Sequence, residues 1–162
     1  MIWKLIAKFC AKPAVANWLI NRAMKTPYVH IYGKDGEMYM GRWWLFNPYP
    51  HPEEQRKNWF PISIRVHWIR RKDEDRDLHD HPWNARTVIL KNGYIEVRQG
   101  DDLYIRTAGD TAKLKFGEYH RITYVAPGGA WTLFITGKYR GTWGFLVDGV
   151  KVQWRKYLGQ ES

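Results

Sequence analysis

The chain has 162 residues, of which 44% are hydrophobic and 16% aromatic, enough for one domain with a buried core and too much apolar content for a disordered chain. Twenty-six Lys and Arg against 16 Asp and Glu give a formal net charge of +10, dispersed along the chain, which reads first as a solvated basic surface and otherwise as a preference for acidic partners such as nucleotides, nucleic acid or anionic metabolites. The single cysteine, Cys10, excludes an intrachain disulfide framework and fits a reducing cytosol.

Ile2, Leu5, Ile6 and Phe9 recur at helical spacing, with Lys4, Lys8 and Lys12 forming a separate basic stripe. This segment reads as a helix packed on the domain or on a partner subunit, with a membrane-surface helix as the alternative. Lys4 and Lys8 interrupt any signal-peptide core, and no run approaches the roughly 20 apolar residues of a membrane span. Pro13 breaks the segment, and a second helix is predicted over 14–25, ended by Thr26-Pro27. Residues 1–27 thus read as an N-terminal helical extension and 28–162 as one β domain.

From Tyr28 the period changes to two. Residues 28–32 and 37–45 read as a hairpin around Lys34-Asp35-Gly36, and 47–58 as a polar loop broken by Pro48, Pro50 and Pro52. Over 62–69, Ile62, Ile64, Val66 and Trp68 alternate with Ser63, Arg65, His67 and Ile69, giving one apolar and one mostly polar face. Residues 70–77 form a dense charged loop in which Arg70, Arg71, Lys72 and Arg76 neutralise Asp73, Glu74, Asp75 and Asp77. It reads as solvated and self-paired rather than as a calcium site. Runs at 87–90 and 94–98 flank Lys91-Asn92-Gly93, a hairpin signal, and further strands are expected at 103–107, 113–116, 122–125 and 131–136. Many short strands at regular spacing indicate a mainly β sandwich or barrel.

His79 and His81 lie two residues apart, so in an extended strand their imidazoles share a face, and His120 can add a third nitrogen from a neighbouring strand. Three protein ligands leave coordination positions open for water, substrate or O2. Each ligating imidazole should be neutral and should donate its other N–H to an acceptor. Asp80 alternates away from the pair, towards a turn or salt-bridge role, and Arg121 alternates away from His120, towards a structural ion pair. Arg65 and His67 share the polar face of their strand. If that face lines the barrel, both look at the metal, and Arg65 can hold a carboxylate or phosphate in a bidentate fork; a solvent-facing strand is the equal alternative. Tyr119 joins Arg65 and His67 as the third candidate catalytic residue. Tyr119, Tyr124, Trp83 and Trp131 are candidate cavity walls, with ordinary core packing the competing role. Ten tryptophans are many for this length and suggest an aromatic-lined cavity or an oligomer interface, a homodimer being the simplest.

These residues resemble the two-part motif of the cupin superfamily. His79 and His81 fit its H-x-H, and Gly93 lies near the place of its late glycine, while Ala85 and Arg86 stand where a carboxylate ligand usually falls. Gly109, Gly117 and His120 fit the second part, with Lys115 where proline is usual. Leu78-His79-Asp80-His81 followed by His120-Arg121-Ile122 is similar to thiol dioxygenases of the cysteine dioxygenase type, which are three-histidine iron cupins. Cys10 lies far outside the barrel strands, so their cysteine–tyrosine crosslink has no counterpart here. The stretch from Trp131 through Trp143-Gly144-Phe145 to Trp154-Arg155-Lys156-Tyr157 looks like small uncharacterised cupin proteins of tailed phages. The resemblance implies a single cupin (double-stranded β-helix) barrel. It implies one divalent transition metal held by His79, His81 and His120, Fe(II) favoured, with Zn, Mn or Ni as alternatives. It further implies a dioxygenase-like metal enzyme acting on a small acidic substrate in the cytoplasm of an infected bacterial host. Two alternatives stay open: a non-catalytic module sequestering a nucleotide or anionic signalling metabolite as phage counter-defence, and a virion-associated structural protein. No RNA-binding motif, helix-turn-helix or P-loop appears, so sequence-specific nucleic-acid recognition is not expected.

Overall fold

The computed structural model describes residues 1–51, 54 and 59–160; the middle of the proline-rich loop expected over 47–58 lies outside the described residues. Two helices come first, α1 (Ile2–Cys10) and α2 (Pro13–Ala23). Pro13 opens α2 rather than merely breaking α1, because the first helical turn needs no N–H from its leading residue. The chain enters the sheet structure at Thr26, whose carbonyl accepts from Trp44 N at 2.8 Å, and Pro27 bridges to Trp43.

Among the described residues twelve strands follow, in two six-stranded antiparallel sheets. The first sheet runs β1 (Ile31–Tyr32), β2 (Met38–Phe46), β3 (Ser63–Ile69), β10 (Ala130–Thr136), β5 (Ala85–Lys91) and β8 (Thr111–Leu114). The second runs β12 (Val150–Gln153), β11 (Gly144–Val147), β4 (Leu78–His79), β9 (His120–Val125), β6 (Gly93–Arg98) and β7 (Leu103–Thr107). A short helix, α3 (Trp154–Tyr157), follows β12, capped by the Gln153 side chain accepting from Arg155 N at 2.8 Å.

The expected hairpin across Lys91-Asn92-Gly93 does not form. β5 pairs with β10 and β8, whereas β6 pairs with β9 and β7, so this turn carries the chain from one sheet to the other. Asn92 sits at φ 54 and its side chain donates to Gly129 O at 2.7 Å, fixing the corner. Gly93 is required there because a Cβ would collide with the carbonyl of Arg106 on the adjacent strand. Conversely, β11 and β12 form a hairpin that the strand reading had not named. Its signal is Asp148-Gly149, with φ of 48 and 79, the left-handed pair of a tight hairpin turn.

Register explains what each face of the first sheet does. Trp43, Val66, Leu133 and Val88 lie opposite one another across four strands, and all four are buried. They pack under Ala16, Ile20 and Ala23 of α2 and Ala7 of α1. Each such fully buried aliphatic contributes about 1.5–3 kcal/mol, so the helices are the lid of an outer core. The rows Trp44–Arg65–Phe134–Thr87 and Arg42–His67–Thr132–Ile89 face the other way, into the barrel. One end of the barrel is filled by Ile69, Ile89, Tyr94, Ile122 and Ala130, and towards the other lies an aromatic cluster of Trp44, Tyr49 and Trp83.

Candidate metal centre

β4 is only two residues long, and His81 follows it in irregular chain after Asp80. The geometry is held from both sides. His79 pairs with His120 of β9 and with Phe145 of β11, and Asp80 is anchored where it stands. Asp80 is fully buried, accepts from Gly144 N at 2.7 Å and pairs with Lys151 at 2.6 Å, the salt-bridge role its alternation indicates. Pinning Asp80 to β11 leaves the histidines on either side free to turn inward together.

The three imidazoles converge. Ring centroids lie 5.2 Å apart for His79 and His81, 4.9 Å for His79 and His120, and 5.1 Å for His81 and His120. One nitrogen from each can be chosen so that all lie within 4.8 Å of one another. The Nε2 atoms of His81 and His120 are 3.0 Å apart. Two nitrogens each about 2.1 Å from an ion and at right angles would be separated by about that distance. The donor chemistry agrees. Burial lowers the pKa of His79 to about 4, against an opposing pull from Asp73, and drives His81 well below the usual histidine range. Both are neutral at neutral pH, the form that binds a metal.

Carboxylates stand behind two of the rings, and neither was singled out in the sequence. His120 Nδ1 lies 3.2 Å from Glu96 Oε2, while Glu96 Oε1 accepts from Arg106 at 2.6 Å and Arg98 at 3.1 Å. Burial pushes Glu96 up, but the His120 hydrogen bond, the charges of His120 and Arg98, and the Arg106 hydrogen bond outweigh it and bring its pKa down to about 2. The anion faces His120 Nδ1, and the other ring nitrogen, Nε2, faces His81; when Glu96 takes the N–H of Nδ1, Nε2 is the nitrogen available to an ion. Asp73 Oδ2 is 3.8 Å from His79 Nδ1. Asp73 also receives the hydroxyl of Tyr39 and Ile122 N, the latter at 2.8 Å. The 70–77 loop is thus not simply solvated and self-paired. Asp73 is buried against β9, Arg71 pairs with Asp35 at 2.5 Å as well as with Glu74, and Arg121 donates to the carbonyls of Asp75 and Arg76, with no ion pair among the described residues. The one available signal for Glu96 was a lone acid on a strand, in step with Tyr94. Nothing in so evenly charged a loop marked Asp73.

Arg65 and His67 point into the barrel, 2% and 8% exposed. The guanidinium sits among rings, 4.8 Å from Trp83, 5.2 Å from Trp44, 5.4 Å from Phe134 and 5.7 Å from Tyr28. Its Nε and Nη2 have no hydrogen-bond partner among the described residues, nor does His67 Nε2. Burial lowers the pKa of Arg65, and only the phenols of Tyr49 and Tyr28 offset it. Burial, Arg65 and Arg42 push His67 well below its ordinary range. Arg42, opposite His67, is itself brought to about 10 by burial and the charge of Arg65. Phe134 joins this corner to the triad, with its ring 4.9 Å from His67 and 5.4 Å from His81. Tyr119 is half-buried just before β9, and burial and the Asp80 carboxylate raise its phenol. Trp83 lies in the barrel's aromatic cluster; Trp131 stacks on Trp43 and Trp68 at the helix-covered face; Tyr124 is exposed.

Two antiparallel sheets closed around three converging histidines define a single cupin β-barrel able to hold a metal ion. Solved structures of cupin proteins share it. A cupin-2 domain protein of Rhodospirillum rubrum superposes with a TM-score of 0.56 at 13% identity, over 74% of each chain. The polyketide cyclase RemF of Streptomyces resistomycificus gives 0.52 at 11% identity, over 75% of this chain and 79% of its own. An oxalate decarboxylase variant from Bacillus subtilis gives 0.56 at 13% identity, over 87% of this chain but 33% of the larger enzyme. At these identities the likeness is one of fold. No protein-family model matches the sequence, and no curated protein matches it.

Proposed function

We propose that this protein is a mononuclear, dioxygenase-like metal enzyme acting on a small acidic substrate, with His79, His81 and His120 as ligands and Arg65 as the anchor for the substrate's anionic group. The observation that carries the reading is a buried guanidinium with no carboxylate partner among the described residues, sharing Phe134 with a neutral imidazole of the triad. Burying an unpaired ion costs several kcal/mol, and cation–π contacts return about 0.5–2 kcal/mol each. Bringing in a carboxylate or phosphate offsets what remains and fills the open fork of Nε and Nη2. A divalent transition ion bound by the triad, Fe(II) favoured with Zn, Mn or Ni as alternatives, supplies Lewis acidity and, for iron, access to O2. The chain's own residues do the rest. Glu96 and Asp73 orient the rings, Arg65 places the anion, and the aromatic cluster excludes water from the bound end. His67, neutral and with no partner for Nε2 among the described residues, stands beside Phe134 and becomes a candidate to take a substrate proton once a bound anion offsets the charges of Arg65 and Arg42. Tyr119 keeps its proton at neutral pH and is the remaining candidate donor. Among proteins of this fold, the oxalate decarboxylase bears the name of a small dicarboxylate substrate, which agrees with this class.

The four rings around Arg65 favour a second reading, a module that captures a planar anion such as a nucleotide by stacking and charge without turnover. Metal analysis together with native mass spectrometry of freshly purified protein separates the two. The enzyme reading expects about one equivalent of transition metal, lost in His79→Ala and His120→Ala, and O2 uptake by the iron-loaded protein with a small carboxylate or thiol substrate that His81→Ala removes. Release of an intact nucleotide from metal-free protein would establish the module instead.

A further inference from the structure

We propose that α1 docks this protein onto an anionic lipid surface. The inference is independent of the metal reading. α1 turns only a narrow edge to the barrel. Ala7 is its one buried residue, and Lys8 and Ala11 approach the turn at Gly109. The stripe that its spacing marks as apolar faces outward: Ile2 is 68% exposed, Leu5 63%, Ile6 38% and Phe9 56%. This is the reverse of a helix recruited to cover a core, whose apolar face should be hidden. The covering of the outer core falls instead mainly to α2, through Ala16, Ile20 and Ala23.

Charge selects the occupant. No Asp or Glu occurs among residues 1–34, which carry Lys4, Lys8, Lys12, Arg22, Lys25 and Lys34. Lys4, Lys8 and Lys12 are exposed on α1 or at its end, with Lys12 Nζ 5.7 Å from the Phe9 ring. A second copy docking through the same stripe would bring the same lysines face to face, so like charge opposes self-association there. A surface that takes Ile, Leu and Phe side chains and is rimmed by negative charge satisfies both features. The stripe of Ile2, Leu5, Ile6 and Phe9 offers no hydrogen-bonding side chain for a partner protein to read. That combination is the signature of a helix lying in the headgroup region of an anionic bilayer. α1 has nine residues, and no helix among those described is long and apolar enough to cross a membrane, so the association is peripheral.

The test is co-sedimentation of the full chain with phosphatidylcholine vesicles with and without about 30% phosphatidylglycerol, at low and high NaCl. Binding is expected on the anionic vesicles at low salt, falling as salt screens the lysines. Lys4→Gln and Lys8→Gln should each weaken it roughly fivefold. Leu5→Gln combined with Phe9→Gln should abolish it while the circular dichroism spectrum and metal binding stay unchanged, since both side chains are exposed. No sedimentation with anionic vesicles would overturn the proposal, as would binding that the Leu5/Phe9 pair leaves intact, which would assign it to diffuse basic charge. A dimer in analytical ultracentrifugation that the same pair dissolves would give the stripe to a second copy and equally overturn it.

Discussion

Replacing Glu96 with Gln probes the centre while leaving all three histidines in place. Both carboxylate oxygens are in use: Oε1 faces Arg98 and Arg106, and Oε2 faces His120 Nδ1. A glutamine has one acceptor oxygen and one NH2 group. If its oxygen keeps the two guanidiniums, its NH2 meets His120, whose ring must then accept at Nδ1 and carry its proton on Nε2. That is the tautomer that cannot ligate from Nε2. Loss of such a supporting carboxylate lowers metal affinity by about 10- to 100-fold, or roughly 1.4–2.7 kcal/mol. Stability should fall as well. Removing one side of a buried charge cluster costs about 3–5 kcal/mol, and because Arg98 and Arg106 keep 20% and 16% side-chain exposure, the lower end applies. The two effects are read separately, by competitive metal titration of the folded variant and by denaturant unfolding of metal-free protein. Arg106→Met serves as the control, since it disturbs the ion pair but leaves the Glu96–His120 contact; it should cost stability with little change in metal affinity. A Glu96→Gln protein that is destabilised yet binds metal as tightly as the parent would refute the tautomer argument and leave Glu96 as an anchor for arginines only.

Arg65→Lys keeps a charge but loses the planar fork, so affinity for a carboxylate or phosphate ligand should drop about tenfold or more, measured by calorimetry; unchanged affinity would remove Arg65 from the ligand site. The metal-free protein should lose stability as pH falls from about 6.5 to about 4. There the unfolded chain protonates His79 while the fold, with its pKa brought down to about 4, does not. That difference amounts to about 3 kcal/mol and levels off below pH 4, with His67 and His81 adding in the same direction. Glu96 acts in the same direction at lower pH: its stabilisation is complete above its unfolded value of 4.5 and is lost as pH falls through about 2. Denaturant midpoints at pH 7 and pH 4.5 that coincide would show that the histidines are not buried neutral.

The class of fold and the three histidines that converge were legible in the residues alone. Period-two alternation and turn residues are local properties, and H-x-H with a later histidine marks the three rings, but their convergence was settled by the pairing of β4 with β9 and by the buried Asp80 anchor, since His81 lies beyond the strand. The sequence also placed Arg65 and His67 on one face of β3, because alternation is intrinsic to a strand. Which way that face pointed was a tertiary decision. The apolar residues Val66 and Leu133 face outward only because α2 covers them, and this frees the polar row to line the barrel. The same reason defeated the hairpin at Asn92: a turn-forming dipeptide fixes the corner's backbone, but the sheet each arm joins depends on partners far along the chain. Glu96 and Asp73 were silent for a related cause. A carboxylate behind a histidine is recognised by distance across strands, and β6, β9 and the 70–77 loop meet only when the second sheet closes. The stripe on α1 was legible as a pattern, but its outward orientation was not, since helical spacing says which residues share a face and only packing says what that face meets.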